Sequence, residues 1–429
     1  MPRTIAIVYR SLWTAPGRER LRLSAYTRMA PAVRAAAAMH RRVGARKTRV
    51  VAVVGTFGKT TTTRAVRAAL GLPVTRVPGR NSGAAVPAAV LGIGPHDRHA
   101  AIEVGVSGPG QMVRYTRLLQ PDLVVVTCIG SEHLSSFHTL DATRDEKAEM
   151  VRALSASGVA ILNGDDPRVL WMRGCTPARV VTYGFGDAND VRVRRRAAEG
   201  LEGTRLEIEV AGRSHTLRTR LIGRHMAYPI LAAVAVAHAE NLDLEPVLAS
   251  LEKLEPTGNR LQPIAQASGA VLLLDAFKGG LETIHAALDA LGEIPAQRRL
   301  LVLGDVEEPP GSQGPIYRDV GEHAAMVADY VFYVGGKTNL GRLRAGTTEG
   351  GFSREALVRV PAQPQAIAER LAAELRRGDV ALIKGRLTQH LERVALLLAG
   401  VPVGCTRTLC RRRHDCETCP LLRGDGTPL

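Results

Sequence analysis

Six residues, Gly55-Thr56-Phe57-Gly58-Lys59-Thr60, carry the sharpest chemical signal in the 429-residue chain. They follow an apolar run, RVVAVVG (49–55), and open a stretch with helical patterning. Glycines at 55 and 58 let the backbone approach phosphate oxygens, and the start of a helix offers unpaired N–H groups to the same oxygens. Lys59 would neutralise β- and γ-phosphates, and the Thr60 hydroxyl would ligate Mg²⁺. Thr61 completes the nucleotide-binding candidates on this loop. The general phosphate loop has a glycine five residues before its Gly-Lys pair; here that position is Val53, so the loop is shortened.

A second chemical cluster lies near the end of the chain. Cys405, Cys410, Cys416 and Cys419 fall within fifteen residues, with His414 among them. Four thiolates can close a tetrahedral Zn²⁺ site. The Cys-x2-Cys-Pro ending also suits an iron–sulfur cluster, and a reduced, metal-free tail is the plain alternative.

The elements that must position these groups read as α/β layering. Apolar runs end where polar loops begin at HAAIEVG (99–105), DLVVVTCIG (122–130) and GVAILNGDD (158–166), with helical text between them. An alternating stretch near 190–221 reads as a small antiparallel meander. Beyond EPTG (255–258) the rhythm restarts, with AVLLLDAF, RRLLVLGDV, DYVFYVGG and DVALIKG as buried strands of a second, Rossmann-like unit. The expected organisation is a basic N-terminal arm (1–48), an ATP-binding domain with a mostly parallel sheet (49–256), a Rossmann-like domain (257–404) and a Cys-rich tail (405–429).

The shortened GTxGKT loop resembles that of the Mur ligase family, and the likeness continues in order for some 340 residues. Asn81 with Gly83 and Pro87 resembles the family's second loop. Glu103 in AIEVG matches its Mg²⁺-binding glutamate, and His133 in CIGSEHL its second-metal histidine. Lys147 in DEKAEM stands where the family has a lysine carboxylated by CO₂. GNR (258–260), LLLDAF, VLGDVEE and KGR (384–386) look most like the branch that adds D-alanyl-D-alanine. The resemblance implies ATP and Mg²⁺ as cofactors and a carboxylate, small or peptidic, joined to an amine or amino acid through an acyl-phosphate. Thr60 and Glu103 would hold one ion, His133 and carbamoylated Lys147 a second. Arg260 would reach the phosphates, Asp275 the ribose, and Lys384 the acceptor side.

Three departures from the family pattern stand out. Only 54 residues precede Gly55, where the adding enzymes carry a domain that grips a UDP-sugar; the expected acceptor is therefore not a standard UDP-muramoyl peptide. Met226 and Pro229 stand where two asparagines would help read adenine. Lys278 and Gly279-Gly280 replace a conventional Asn-and-Pro wall. A non-catalytic nucleotide-binding subunit of a cell-envelope or biosynthetic complex is the alternative, though Glu103, His133 and Lys147 argue for catalysis.

The net charge of +16 is concentrated in residues 1–50, with twelve Arg or Lys against Glu19 alone. A helix over about 17–43 would place Leu21, Ala25, Met29 and Val33 on one face. It could meet an anionic membrane surface or an acidic protein; the plainer reading is an arm docked on its own domain. Nucleic acid is not favoured, because no aromatic-rich recognition surface accompanies the charge. No apolar run approaches the roughly 20 residues of a membrane span. A cytoplasmic protein, at most peripheral at the inner membrane surface, is expected.

Overall fold

β1 (Arg49–Val54) is RVVAVV and is buried at every position after the first. Such a strand needs a neighbour on each edge and cover on each face. In the computed structural model, which describes residues 15–74, 81–411, 416–419 and 421–422 with side chains from residue 29 onward, it has both. β2 (His99–Glu103) and β3 (Leu123–Val126) flank it in parallel register. β4 (Val159–Asn163) and β5 (Arg179–Gly184) continue the parallel order. The sheet then changes character: β6 (Val191–Ala198), β7 (Thr204–Val210) and β8 (Arg213–Thr219) form an antiparallel meander whose alternating burial matches a strand with one wet face. The strand order is β2-β1-β3-β4-β5-β6-β7-β8.

Helices α2 (Lys59–Ala69) and α6 (Ala227–Ala239) pack against each other on one face of this sheet. α6 is apolar nearly all round, as a helix enclosed between layers must be. α3 (Ala85–Leu91), α4 (Gln111–Leu119) and α5 (Leu140–Arg152) belong to the opposite face. α7 (Leu244–Glu252) leads to the second sheet, ordered β13-β12-β11-β14-β10-β9. Its parallel strands are β10 (Val271–Asp275), β11 (Arg299–Leu303), β12 (Tyr330–Tyr333), β13 (Leu357–Arg359) and β14 (Val380–Lys384); β9 (Gln262–Ala265) closes one edge antiparallel. Helices α8 (Leu281–Gly292), α9 (Gln313–Val327), α10 (Lys337–Glu349), α11 (Pro364–Glu374) and α12 (Glu392–Leu398) cover it. The chain is thus α/β, with a large mostly parallel sheet and a smaller second one. One apolar cluster runs from Val51 and Val53 through α6 to Leu301 and Leu382, joining the two layers.

The basic arm forms α1 (Ala15–Val43). Its expected apolar stripe is not what docks it: Met29 is 58% exposed, and the side chains of Leu21 and Ala25 lie outside the described residues. Contact is made further along by small Ala37 and Ala38 and by buried Arg41. The Arg41 guanidinium donates to the carbonyls of Leu119 (2.7 Å), Ala45 (2.6 Å), Thr48 (3.2 Å) and Gln120 (2.9 Å), and to Asp122 Oδ2 (3.1 Å). Arginine suits this place because its planar fork serves several acceptors at once. The C-terminal part of the arm is therefore docked on its own domain. No described helix is long and apolar enough to cross a membrane.

Candidate active site

The phosphate loop sits at the C-terminal end of β1, where strand order departs to β2 on one side and β3 on the other. Such a switch point opens a crevice in any doubly wound sheet. Gly55 has φ 140°, and a side chain there would run into Thr127 and Cys128 of the neighbouring strand end. Gly58, at φ 80°, caps α2 in the left-handed region that glycine adopts without penalty. Thr127 Oγ1 donates to the Phe57 carbonyl (2.6 Å), and Gly130 N–H donates to Thr56 Oγ1 (2.9 Å), so the loop is tied to the segment after β3. Lys59 Nζ folds back onto the Thr56 carbonyl (2.6 Å).

Thr60 Oγ1 accepts from Arg260 Nη2 (3.3 Å), which brings that predicted pair together. Arg260 also stacks on Phe277, 4.3 Å from the ring centre. The Thr61 side chain is 2% exposed and its hydroxyl pairs with Thr257 (3.1 Å). One residue further along a helix rotates the side chain by about 100°, which here turns it into the junction between the sheets.

Asn81, Glu103, His133 and Lys147 gather around the ends of β2 and β3. Asn81 Nδ2 donates to Glu103 Oε1 (2.6 Å). Glu103 Oε2 is buried and has no partner among the described residues. A carboxylate oxygen left bare in the interior is costly, and a hard, oxygen-seeking cation is what such an atom suits. The Thr60 hydroxyl at the start of α2 and the Glu103 carboxylate at the end of β2 are oxygen donors of the type that Mg²⁺ takes. His133 holds a positive φ of 64°, a strained state for a non-glycine residue. Its ring lies between Glu132 (3.7 Å) and Glu308 (3.6 Å), and Glu308 also accepts from its backbone N–H (2.7 Å).

Lys147 is 5% exposed on α5 and its ammonium makes no ion pair or hydrogen bond among the described residues. Burial, reinforced by the Lys59 charge, pushes it down to about 7. Its amine is therefore available unprotonated near neutrality. Glu132 moves the other way: burial raises its carboxyl, but the Lys59 and Lys278 charges outweigh that and hold it at about 2.

From the second sheet, three groups grip residues 131–133. Glu282 accepts from Ser131 N–H (2.8 Å) and Oγ (2.7 Å), Lys278 pairs with Glu132, and Glu308 meets His133. Sequence reading noted Lys278 only as a departure and missed Glu132 and Glu282, because partners roughly 150 residues apart leave no local signal. Asp275 and Lys384, assigned to the ribose and the acceptor side, are both buried and bonded to each other at 2.6 Å. They are neighbours in register on β10 and β14, so their opposite charges meet first. Met226 and Pro229 are buried at the start of α6, where their apolar side chains serve the core. Beside them Arg224 stacks on Phe185 (3.9 Å) and Tyr228 donates to Asp165 (3.0 Å).

Cys405, Cys410, Cys416 and Cys419 all line one small cavity beside α12 and form no disulfide; His414 falls outside the described residues.

Comparison with known proteins follows this geometry. Residues 53–237 match the model of the Mur ligase middle domain, and residues 259–387 that of the Mur ligase glutamate ligase domain. The UDP-N-acetylmuramoyl-tripeptide–D-alanyl-D-alanine ligase of Bacillus subtilis is 27% identical over 362 residues, 83% of this chain and 77% of the relative. That of Escherichia coli is 28% identical over 315 residues, 72% of this chain and 70% of the relative. In structure, MurF of Acinetobacter baumannii aligns with a TM-score of 0.76 at 22% identity, covering 86% of this chain and 80% of its own. MurF of Thermotoga maritima, solved with ADP, aligns with a TM-score of 0.73 at 22% identity, covering 86% and 83%. Two family models that together take in most of the chain, in the order of its two sheets, make it a member of the Mur ligase family.

Proposed function

We propose that the chain is an ATP-dependent ligase that joins a carboxylate to an amine through an acyl-phosphate, with release of ADP and phosphate. The observation that carries this reading is Glu103, whose buried and unpartnered oxygen lies at a strand end beside the phosphate loop. A scaffold that held Mg-nucleotide could share that oxygen, but it would have no use for the buried Lys147 amine. Lys59 and the N–H groups at the start of α2 would bind the β- and γ-phosphates. Thr60 and Glu103 would hold Mg²⁺, which when bound draws charge from the phosphoryl group in transfer. Arg260, already at Thr60, adds positive charge on the same side.

Lys147 has a separate task. Its neutral amine can attack CO₂: the nitrogen lone pair forms the N–C bond, one C=O pair moves to oxygen, and a proton leaves to water. The product carbamate is an anion, and with His133 it would present donors for a second Mg²⁺ near the acceptor. An unmodified ammonium in that place would repel such an ion.

The acceptor we infer is a carboxylate that carries a phosphate group and needs no uridine. A cleft of about 600 Å³ lies between α1 and the central domain, with Arg34, Arg42, Arg114 and Arg117 on its walls and no carboxylate among its lining residues. Ser82 and Gly83, next to Asn81, and Ser107, four residues beyond Glu103, line it too, so the cleft runs toward the metal-binding side of the site. Guanidinium groups bind phosphate bidentately. Arginines of α1 that face this cleft thus have a use besides a membrane or a protein partner.

Purified protein should release ADP only when acceptor and amine are both present, and Lys59→Ala should not. Wild-type ADP release by Lys59→Ala would overturn the phosphate-loop reading. Among acceptors, phosphorylated carboxylates should compete with inorganic phosphate and lose affinity in Arg34→Ala/Arg114→Ala. Binding that requires the uridine of a UDP-muramoyl peptide would overturn the acceptor reading while leaving the ligase reading intact.

A further inference from the structure

The tail after α12 has little with which to hold itself in place. Its apolar cluster is Val403, Cys416 and Leu422 against Leu396 and Leu397, too small to offset the entropy of ordering some twenty residues at about 1–2 kcal/mol each. Yet it is built against the second sheet with specific bonds. Cys410 N–H donates to the Thr388 carbonyl (2.8 Å), and Gly404 and Cys405 N–H donate to the Leu422 carbonyl (2.8 and 3.1 Å). Buried Arg393 donates to the carbonyls of Cys405 (3.1 Å), Arg407 (2.6 Å) and Gln389 (3.2 Å), and lies 3.6 Å from Cys405 Sγ.

All four tail cysteines, with His390 and Arg393, wall a cavity of about 20 Å³. Cys416 Sγ lies within 4.8 Å of donor atoms on His390 and Glu392. Glu392 is 5% exposed; one oxygen bonds His390 Nδ1 (2.7 Å), while Oε2 is buried with no partner among the described residues. An unsatisfied carboxylate oxygen amid soft thiol donors calls for positive charge at that point. A cavity of this volume accommodates about one water-sized particle, which leaves room for a single ion and none for a cube of irons and sulfides.

We propose that this cavity binds one Zn²⁺ ion, with Cys416 and the His390–Glu392 pair, whose donor atoms lie within 4.8 Å of one another, at its centre and thiols of Cys405, Cys410 and Cys419 on its walls completing the coordination, and that this ion staples the tail to the turn at 388–393. Arg393 beside Cys405 offsets negative charge from the thiolates and Glu392 on the site, as outer partners do in metal centres. The turn so held lies at the C-terminal ends of β11, β12 and β14. Gln389 accepts from Asp305 N–H (3.1 Å) and donates to the Val334 carbonyl (3.1 Å), five residues after Lys384. The ion would give the tail the stability its own core lacks.

The test is elemental analysis of the full chain purified anaerobically under reducing conditions, with about one zinc per chain expected from a closed four-ligand site. Cys419→Ser should lose most of that zinc, and Cys175→Ser, away from the tail, should keep it. Cobalt exchanged into the wild-type protein should show the visible bands of a tetrahedral thiolate site, a readout that survives if a Cys variant fails to fold. Zinc removal should expose 399–422 to protease before the two sheets. A metal-free chain whose four tail thiols titrate freely would overturn the proposal, and so would iron with acid-labile sulfide.

Discussion

Replacing Lys147 with Met should stabilise the ligand-free protein while abolishing its activity, and the size of the gain can be worked out. Burial and the Lys59 charge take the Lys147 ammonium from 10.5 to about 7. The unfolded chain binds this proton across the window from about 7 to 10.5 and the folded chain does not, so folding of the wild type is penalised at neutral pH and relieved as pH rises. At pH 7.5 that linkage amounts to about 4 kcal/mol, and at pH 9 to about 2 kcal/mol, from 1.36 kcal/mol per unit. Met has a similar length and no charge, so the cavity term stays small. The expected result in CO₂-free buffer is that Lys147→Met exceeds the wild type by up to about 4 kcal/mol at pH 7.5, with the gap narrowing by about 2 kcal/mol at pH 9. Denaturant titrations followed by tryptophan fluorescence suit the measurement, because Trp171 packs under Arg144 of the same helix (3.8 Å). A gap that does not change with pH would refute the buried-amine reasoning. Lys147→Ala should in addition recover some activity with a short carboxylic acid in the buffer, and full activity without one would show that no carbamate is needed.

Glu103→Gln keeps the bond to Asn81 but removes the bare anionic oxygen; its Mg²⁺ half-activation should rise at least about tenfold in an ADP-release titration, since one lost charge–charge contact is worth more than about 1.4 kcal/mol. Lys278→Met and Glu132→Gln should each lower turnover, and a double-mutant cycle on kcat/KM should give a coupling of about 0.5–3 kcal/mol if the cross-sheet pair is real; strict additivity would refute it. Arg41→Ala removes a buried guanidinium with five acceptors and should destabilise the central domain by about 3–5 kcal/mol in denaturant melts, whereas an unchanged midpoint would mean that α1 is not held there.

Local chemistry was legible along the chain. The Gly55 and Gly58 loop, the buried strands β1, β3, β4, β10, β11, β12 and β14, and the α/β class all follow from short-range patterns: glycine where φ must be positive, and unbroken apolar runs where both faces are covered. In the second sheet the edge strands were not legible, since β13 is three residues long and β9 contains a proline, whereas both edges of the large sheet, β2 and β8, lay in segments read as strands. What only the tertiary structure decided is which charges meet. Asp275 and Lys384 looked like two separate ligand-binding groups, and strand register turned them into one buried pair. Thr61 looked like part of the loop, and helical rotation turned it to Thr257. Glu132 and Lys278, 146 residues apart in sequence, gave no sign of their pairing until the fold brought the segments after β3 and β10 together. Electrostatic partners are chosen by distance in space, and a sequence records that distance only for residues within a turn or two of one another.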